Sequence, residues 1–188
     1  MFFTMKKLLL LIDCQNDFID GSLAVAGAPE AMNELAHYIA QNADEYSAIA
    51  ATLDWHPYNH SSFARYCPEG PWPVHCVQHT VGAALYQPIV DATQGREIHF
   101  FTKGNNIATE EYSIFANPEN GPALAKFISD GAFEQIDVCG LCGDYCVLNS
   151  LKGLIDNGFG SLINVLLPYT PSIDDGSTLR NFLAEIAK

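Results

Sequence analysis

Short apolar runs alternate along the chain with segments whose apolar residues recur at helical spacing. Continuous apolar runs of this kind are typical of buried parallel strands. They predict strands at Leu8–Ile12, Tyr46–Leu53, Glu97–Thr102, Ile136–Cys139 and Leu162–Leu167. The helical spacing predicts helices at Pro29–Gln41, Pro122–Ser129, Asp144–Asp156 and Thr178–Ala187. The alternation predicts a three-layer α/β/α fold around a doubly wound, mostly parallel sheet of about six strands.

Length and charge narrow the class of protein. The chain has 188 residues, which predicts a single domain over residues 1–188. With 48% apolar and 16% charged residues, the composition is that of a globular protein. The net charge is −13, and Lys6 and Lys7 are the only adjacent basic residues. Because phosphate binding needs clustered basic side chains, we expect neither nucleic acid nor an anionic membrane as a partner.

The N-terminal sequence favours a cytoplasmic protein. The apolar run after Lys7 ends at Asp13, which is shorter than the roughly 7–15 residues of a signal-peptide core. No run approaches the roughly 18 apolar residues of a membrane span. In a reducing compartment, the six cysteines should be mostly free thiols.

Reactive side chains follow four of the predicted strands. Asp13 follows the first strand, Asp54 the second and Lys103 the third, while the segment Gly140–Cys146 follows the fourth. In open α/β sheets, ligands bind beyond the carboxyl ends of the strands. We therefore expect these four segments to meet at one site.

A metal site is indicated by Asp54, His56, His60 and His75, which share the irregular loop 54–80. Side chains two residues apart in an extended segment point the same way, so Asp54 and His56 can reach one ion. A carboxylate with imidazoles suits zinc, manganese or iron(II) better than calcium or magnesium. The alternative is that these are ordinary surface histidines. Four of the six histidines fall in this loop, which favours the metal site.

Cys146 is a candidate nucleophile at the predicted start of a helix. Backbone N–H groups at a helix start should lower the pKa of its thiol and can hold an oxyanion. Asp13 and Lys103 could supply the base and the cation. The alternatives are a turn-forming role for Asp13 and a solvated loop position for Lys103.

The spacing of Cys139 and Cys142 is that of a redox or zinc C-x-x-C motif. We discount this interpretation because Cys139 ends a buried strand and no second such motif completes a four-cysteine site.

These residues resemble the nicotinamidase/pyrazinamidase branch of the isochorismatase-like cysteine hydrolase family. The matching segments are Asp13–Phe18, Asp54–Phe63, Trp72–Val77, Lys103–Gly104, Tyr112–Phe115 and Gly140–Val147. They occur in the family's order and span nearly the whole chain. The resemblance implies hydrolysis of nicotinamide, and of pyrazinamide, to the acid and ammonia through a thioester, as in NAD salvage.

The resemblance also implies roles for individual residues. Asp13 would be the general base, Lys103 the cation that orders the triad, and Cys146 the nucleophile. The metal ligands would be Asp54, His56 and His75, with His60 as a further ligand in some members. One divalent metal ion is implied, with zinc the first choice and iron or manganese the alternatives.

The remaining implied roles concern the substrate. The pocket would be lined by Phe18, Trp72, Tyr112 and Leu141, although core packing is the alternative for the three aromatic residues. The N–H groups of Cys142 and Cys146 would form the oxyanion hole. The peptide bond between Leu141 and Cys142 matches a cis bond of the family.

The chain departs from the common family pattern in two places. Cys142 stands where many members have alanine or valine, and the stretch Asn105–Glu111 varies in length. The family often forms homo-oligomers, and the sequence leaves the subunit number open.

Three alternatives to a nicotinamidase remain at this point. The first is a metal-free hydrolase of the same fold, acting on isochorismate, carbamoylsarcosine or ureidoacrylate. The second is an iron(II) oxygenase with two histidines and one carboxylate, which would need an all-β fold. The third is a non-enzymatic metal-binding protein.

Overall fold

A computed structural model describes residues 5–187 of the chain. The strands are β1 (Lys7–Ile12), β2 (Tyr46–Asp54), β3 (Ile98–Lys103), β4 (Gln135–Gly140) and β5 (Ile163–Val165). The α-helices are α1 (Asn16–Ile19), α2 (Ala28–Asn42), α3 (Gln87–Ala92), α4 (Asn120–Gly131), α5 (Leu148–Asp156) and α6 (Ser177–Ile186). A π-helical segment, Gly143–Val147, leads into α5.

The five strands form one parallel sheet in the order β3-β2-β1-β4-β5. The central strand β1 is apolar throughout because both of its faces are covered. Leu9 and Leu11 pack into one core cluster and Leu8, Leu10 and Ile12 into the other. Alternating side chains of one strand therefore hold the two helical layers on opposite faces.

Each helical layer presents a regular apolar stripe to the sheet. Met32, Leu35 and Ile39 of α2 pack with Ile89 of α3 on the first face. The second face is covered by residues of α4, α5 and α6. The spacing of three and four residues in α2 places its stripe on one side of the helix. The three-layer α/β/α prediction is thus confirmed.

Several boundaries differ from the sequence predictions. The described residues form five strands where about six are predicted, and β5 is limited to Ile163–Val165 where Leu162–Leu167 is predicted. Helices α1 and α3 are not predicted because four and six residues are too few to display a helical period. The predicted helix Asp144–Asp156 begins as the π-helical segment and becomes regular only at Leu148.

The strand order reverses between β1 and β4, whose carboxyl ends therefore flank the crevice expected of an open α/β sheet. The irregular loop that follows β2 begins at this edge, where the Trp55 N–H donates to the Lys103 carbonyl at 2.8 Å. None of the helices within residues 5–187 combines the length and the apolar character needed to cross a membrane. All six cysteines are free thiols.

Candidate active site

Asp13, Lys103 and Cys146 meet at the carboxyl edge of the sheet. Lys103 is the last residue of β3, and its fully buried ammonium lies 2.9 Å from Asp13 Oδ2 and 3.6 Å from Cys146 Sγ. Thr52 Oγ1 donates a 2.6 Å hydrogen bond to Asp13 Oδ1. Asp13 adopts a φ of 48°, an uncommon conformation that turns the chain sharply off β1. The predicted triad is therefore assembled in contact.

Burial sets the protonation of this triad. It raises the pKa of Cys146 well above its ordinary value, and the nearby Lys103 ammonium offsets this only in part. The direction of this shift is opposite to the predicted lowering of the Cys146 pKa by backbone N–H groups. Burial also raises the pKa of Asp13, against the attraction of Lys103. A raised pKa makes Asp13 a stronger base toward the thiol.

Lys103 remains charged in spite of complete burial. Desolvation opposes its charge, but the carboxylates of Asp13 and Asp54 outweigh this and raise its pKa well above the ordinary value. Burial likewise opposes ionisation of Asp54, yet Lys103 and the two nearby histidines lower its pKa. Asp54 is therefore a permanent carboxylate between the lysine and the histidines.

Asp54, His56 and His75 form a compact set of metal-ligand types. Asp54 Oδ2 lies 3.7 Å from His56 Nε2 and 4.0 Å from His75 Nε2, and all three residues are buried. Distances of this size leave room for an ion that bonds to each atom at about 2.0–2.2 Å. The three predicted ligands thus converge on one point.

The tautomers of the two histidines fit a metal ion. His56 Nδ1 faces the Gly104 carbonyl at 3.1 Å, and His75 Nδ1 faces the Pro73 carbonyl at 2.8 Å. Each carbonyl accepts an N–H from Nδ1, which leaves the Nε2 lone pair facing the cluster. His56 Nε2 is buried without a hydrogen-bond partner. An unpartnered buried nitrogen facing a carboxylate is what a metal site would complete, so these residues fit the implied divalent ion.

His60 lies beside this cluster, with its ring centroid 4.3 Å from that of His56. Both of its ring nitrogens have partners, because Nδ1 lies 2.8 Å from Ser62 Oγ and Nε2 lies 3.1 Å from the Thr109 carbonyl. To serve as a ligand, His60 would have to release one of these contacts. Its role as a ligand stays a prediction.

Glu110 is a further ligand candidate that the sequence reasoning did not identify. It can bring a carboxylate oxygen within 4.8 Å of nitrogens of His56 and His60. Its Oε2 is buried without a hydrogen-bond partner. The only available sequence signal was its position seven residues after Lys103, inside a stretch that had no predicted structure.

The segment before Cys146 is built around Cys142. The Leu141–Cys142 peptide bond is cis, as predicted. The N–H groups of Tyr145 and Val147 both donate to the Cys142 carbonyl at 3.1 Å, which bends the chain into the π-helical segment. Cys142 and Cys146 then line the same cavity. Their backbone N–H groups are the candidates for the oxyanion hole.

A cavity opens in front of Cys146. Three rings enclose its mouth: Trp72 Nε1 donates a 3.1 Å hydrogen bond to Tyr112 Oη, and the Tyr145 ring centroid lies 5.0 Å from that of Trp72. The full lining comprises Phe18, Leu23, Asp54, Trp72, His75, Glu110, Tyr112, Cys142, Tyr145, Cys146 and Ile173. Aromatic walls of this kind suit the flat face of a one-ring aromatic ligand.

The cavity corrects the predicted lining at several positions. Phe18, Trp72 and Tyr112 line it as predicted, whereas Leu141 is fully buried in the core cluster beneath the sheet edge and is absent from the lining. The lining residues missed from the sequence are Leu23, Glu110, Tyr145 and Ile173. Tyr145 directly precedes Cys146 and could have been found from that position, but the others lie in loops without periodicity.

Gln15 fixes the backbone of Asp54 and was also missed as a site residue. Its buried amide donates to the Asp54 carbonyl at 2.7 Å and accepts from the Asp54 N–H at 2.8 Å. These two bonds mimic a strand pairing and hold Asp54 where β2 ends. No local pattern reveals this, because the two residues are brought together only by the pairing of β1 with β2.

Comparisons with known proteins agree with this geometry. A family model described as "Isochorismatase domain" matches residues 7–165. A nicotinamidase from Saccharomyces cerevisiae is 31% identical over 209 residues, which cover 97% of this chain and 95% of the yeast protein.

Two solved structures show the same fold with ligands bound. PnC1 from L. infantum in complex with nicotinate superposes with a TM-score of 0.84, at 30% identity over 98% of this chain and 89% of that one. Pyrazinamidase of Pyrococcus horikoshii in complex with zinc gives a TM-score of 0.79, at 27% identity over 97% of this chain and 94% of that one.

Proposed function

The chain belongs to the isochorismatase family, and we propose that it acts there as a nicotinamidase, hydrolysing nicotinamide to nicotinate and ammonia. Pyrazinamide, which differs from nicotinamide by one ring nitrogen, should be hydrolysed in the same way. The observation that carries the proposal is the position of Lys103, whose ammonium touches both Asp13 and Cys146 beside the Asp54/His56/His75 cluster.

The reaction begins with the neutral thiol of Cys146. Asp13 takes the thiol proton, and Lys103 stabilises the negative charge as it moves from sulfur toward the substrate. The thiolate attacks the amide carbon, and the N–H groups of Cys142 and Cys146 donate to the developing oxyanion. Protonated Asp13 then gives its proton to the departing ammonia, which leaves a thioester on Cys146.

Water completes the cycle. Asp13 is again a carboxylate and takes a proton from the water that attacks the thioester carbon. The second tetrahedral state collapses to nicotinic acid and the thiolate. The sulfur regains its proton from Asp13, and the acid releases its own proton to solvent to become nicotinate. Burial disfavours a negative charge on Asp13 and on Cys146 alike. The proton can therefore move between the two groups in either direction during the cycle.

Asp54, His56 and His75 would hold the divalent ion, for which zinc is our first choice, with iron or manganese as alternatives. When bound, the ion supplies a Lewis-acid anchor for the pyridine nitrogen, directly or through water. His60 and Glu110 are the candidates for further ligands. The aromatic wall of Phe18, Trp72 and Tyr112 would then orient the ring so that its amide faces Cys146.

All three alternatives are disfavoured by particular observations. An iron(II) oxygenase of the two-histidine type needs an all-β fold, and this chain has a parallel α/β sheet. A hydrolase for isochorismate, carbamoylsarcosine or ureidoacrylate would have no use for the Asp54/His56/His75 cluster. A non-enzymatic metal-binding protein would have no use for the assembled triad.

We further propose a single catalytic domain over residues 1–188 that works in the cytoplasm, where six free thiols persist. Nicotinamide is the proposed partner, with neither nucleic acid nor membrane involved, and self-association into a homo-oligomer is our expectation from the family.

Ammonia release from nicotinamide, measured with and without a chelator, tests the function. We expect equal amounts of ammonia and nicotinate, turnover that falls when the metal is removed, and recovery when zinc is added. Cys146→Ala should lose nearly all turnover while keeping its zinc content. The absence of ammonia under every condition would overturn the function, and full activity of metal-free protein would overturn the metal's role.

A further inference from the structure

Glu111 is a buried carboxylate that the proposed reaction does not use. Its side chain is only 3% exposed, and its Oε2 accepts hydrogen bonds from the Gly104 N–H at 2.7 Å and from Asn117 Nδ2 at 2.9 Å. Burying a carboxylate is costly unless hydrogen bonds replace its contacts with water, so Glu111 depends on these two donors and in turn holds them in place. What it holds is the turn that follows β3.

Gly104 occupies that turn between two functional groups. It follows Lys103 directly, and its carbonyl faces His56 Nδ1 at 3.1 Å. Its φ of +69° is the left-handed conformation that favours glycine, and a Cβ there would lie 2.4 Å from Cε1 of His56. The His56 ring therefore packs directly against the glycine backbone. Any change in the Gly104 peptide orientation must turn or displace that ring.

We propose that Glu111 is a positioning residue for the metal site, acting on His56 through Gly104. By holding the Gly104 N–H, Glu111 fixes the peptide plane on one side of the glycine, and the carbonyl on the other side keeps Nδ1 of His56 protonated. Nε2 of His56 is thereby left as an unprotonated nitrogen that faces Asp54. The proposal rests on the proposed metal-dependent function and names a determinant of metal affinity within it.

Asn117 connects Glu111 to the start of α4. Asn117 Oδ1 accepts the N–H groups of Glu119 and Asn120 at 3.1 and 2.8 Å, which ties the amide to the start of α4. Its Nδ2 is thereby directed at Glu111. Successive contacts therefore link the start of α4, through Asn117, Glu111 and Gly104, to His56 of the proposed metal site.

Two substitutions of Glu111 that differ in side-chain length provide the test. In Glu111→Gln the amide oxygen can accept both hydrogen bonds, whereas in Glu111→Asp the carboxylate is one methylene too short to reach Gly104. Outer contacts that orient metal ligands typically change affinity by about 10–100-fold. We expect the zinc Kd of metal-stripped protein, measured by chelator competition, to rise at least tenfold in Glu111→Asp and to stay within about threefold in Glu111→Gln.

Glu119→Ala is the matched control, because it removes an exposed carboxylate near the same turn and should leave the zinc Kd unchanged. Circular dichroism and the thermal midpoint of metal-free protein report folding separately. A purely structural Glu111 would lower that midpoint without changing the zinc Kd below it. Unchanged zinc affinity in folded Glu111→Asp, or equal loss in Glu111→Gln, would overturn the proposal.

The zinc titration needs no substrate, so its outcome is distinct from that of the function test. Nicotinamide turnover by the unsubstituted protein from the same preparation tests the function itself. At saturating zinc, we expect Glu111→Asp to recover a kcat within about threefold of the unsubstituted protein, since its triad is untouched. A kcat that stays low at saturating zinc would contradict a role confined to positioning the metal ligand.

Discussion

The carboxylate of Asp54 contacts the ammonium of Lys103 through Oδ1 and faces His56 and His75 through Oδ2. One side chain thus borders both the proposed catalytic triad and the proposed metal site. Because Lys103 is fully buried, it depends on Asp13 and Asp54 for its counter-charge. The two halves of the site are therefore joined by a shared anion.

Asp54→Asn should consequently damage catalysis in a way that added metal cannot repair. It removes one of the two counter-charges of a buried lysine as well as a metal ligand, and an uncompensated buried charge is strongly unfavourable. We expect kcat to fall at least about 100-fold at every zinc concentration. His75→Ala removes a ligand but leaves Lys103 paired, so part of its activity should return as zinc is raised. Full recovery of Asp54→Asn at high zinc would contradict the shared role.

Cys142 is proposed to act through its backbone N–H, and its side chain should be dispensable. Cys142→Ala keeps the peptide group and the small volume of the side chain, so we expect kcat for nicotinamide within about threefold of the unsubstituted protein. Cys146→Ala should lose turnover almost completely under the same assay. A folded Cys142→Ala protein without activity would instead assign chemistry to the second thiol.

The strands and the triad were accessible from sequence for a physical reason. A parallel strand buried on both faces must be apolar throughout, as Leu8–Ile12 is, and its end must be marked by a polar residue such as Asp13. Once the strands are located, the fold brings their carboxyl ends together. The positions of Lys103 and Cys146 follow from that rule without knowledge of any side-chain contact.

The parts that were missed depend on contacts between distant segments. Gln15 braces Asp54, and Glu111 braces Gly104, through hydrogen bonds that exist only after the sheet and loops have assembled. The thiol pKa of Cys146 was predicted from its position near a helix start, but its complete enclosure decides the direction of the shift. Burial of this kind is a property of the tertiary structure and has no local signature.

Trp72 should contribute to substrate binding more than to the chemical step. Its ring lines the cavity, and its Nε1–H donates a hydrogen bond to Tyr112 Oη. The ring takes no part in the proposed proton transfers. An aromatic contact of this kind contributes about 0.5–1.5 kcal/mol beyond burial, so Trp72→Ala should raise KM for nicotinamide about tenfold with little change in kcat. Tyr58→Ala, which removes an exposed ring from the same loop, should leave both parameters unchanged. A selective loss of kcat in Trp72→Ala would contradict this assignment.

The buried thiols should make the fold sensitive to alkaline pH. Burial raises the pKa of Cys139 above its ordinary value near 9, so above that pH the unfolded chain releases a proton that the folded chain keeps. The folded state then binds more protons, and its free energy of unfolding falls as pH rises, by about 1.4 kcal/mol per pH unit for each such thiol. Urea denaturation between pH 8.5 and 10 measures this slope, which Cys139→Ala should reduce by about 1.4 kcal/mol per pH unit above pH 9. Val138→Ala, a neutral truncation in the same strand, should lower stability equally at every pH. Parallel stability curves for Cys139→Ala and the unsubstituted protein would show that this thiol does not titrate on unfolding.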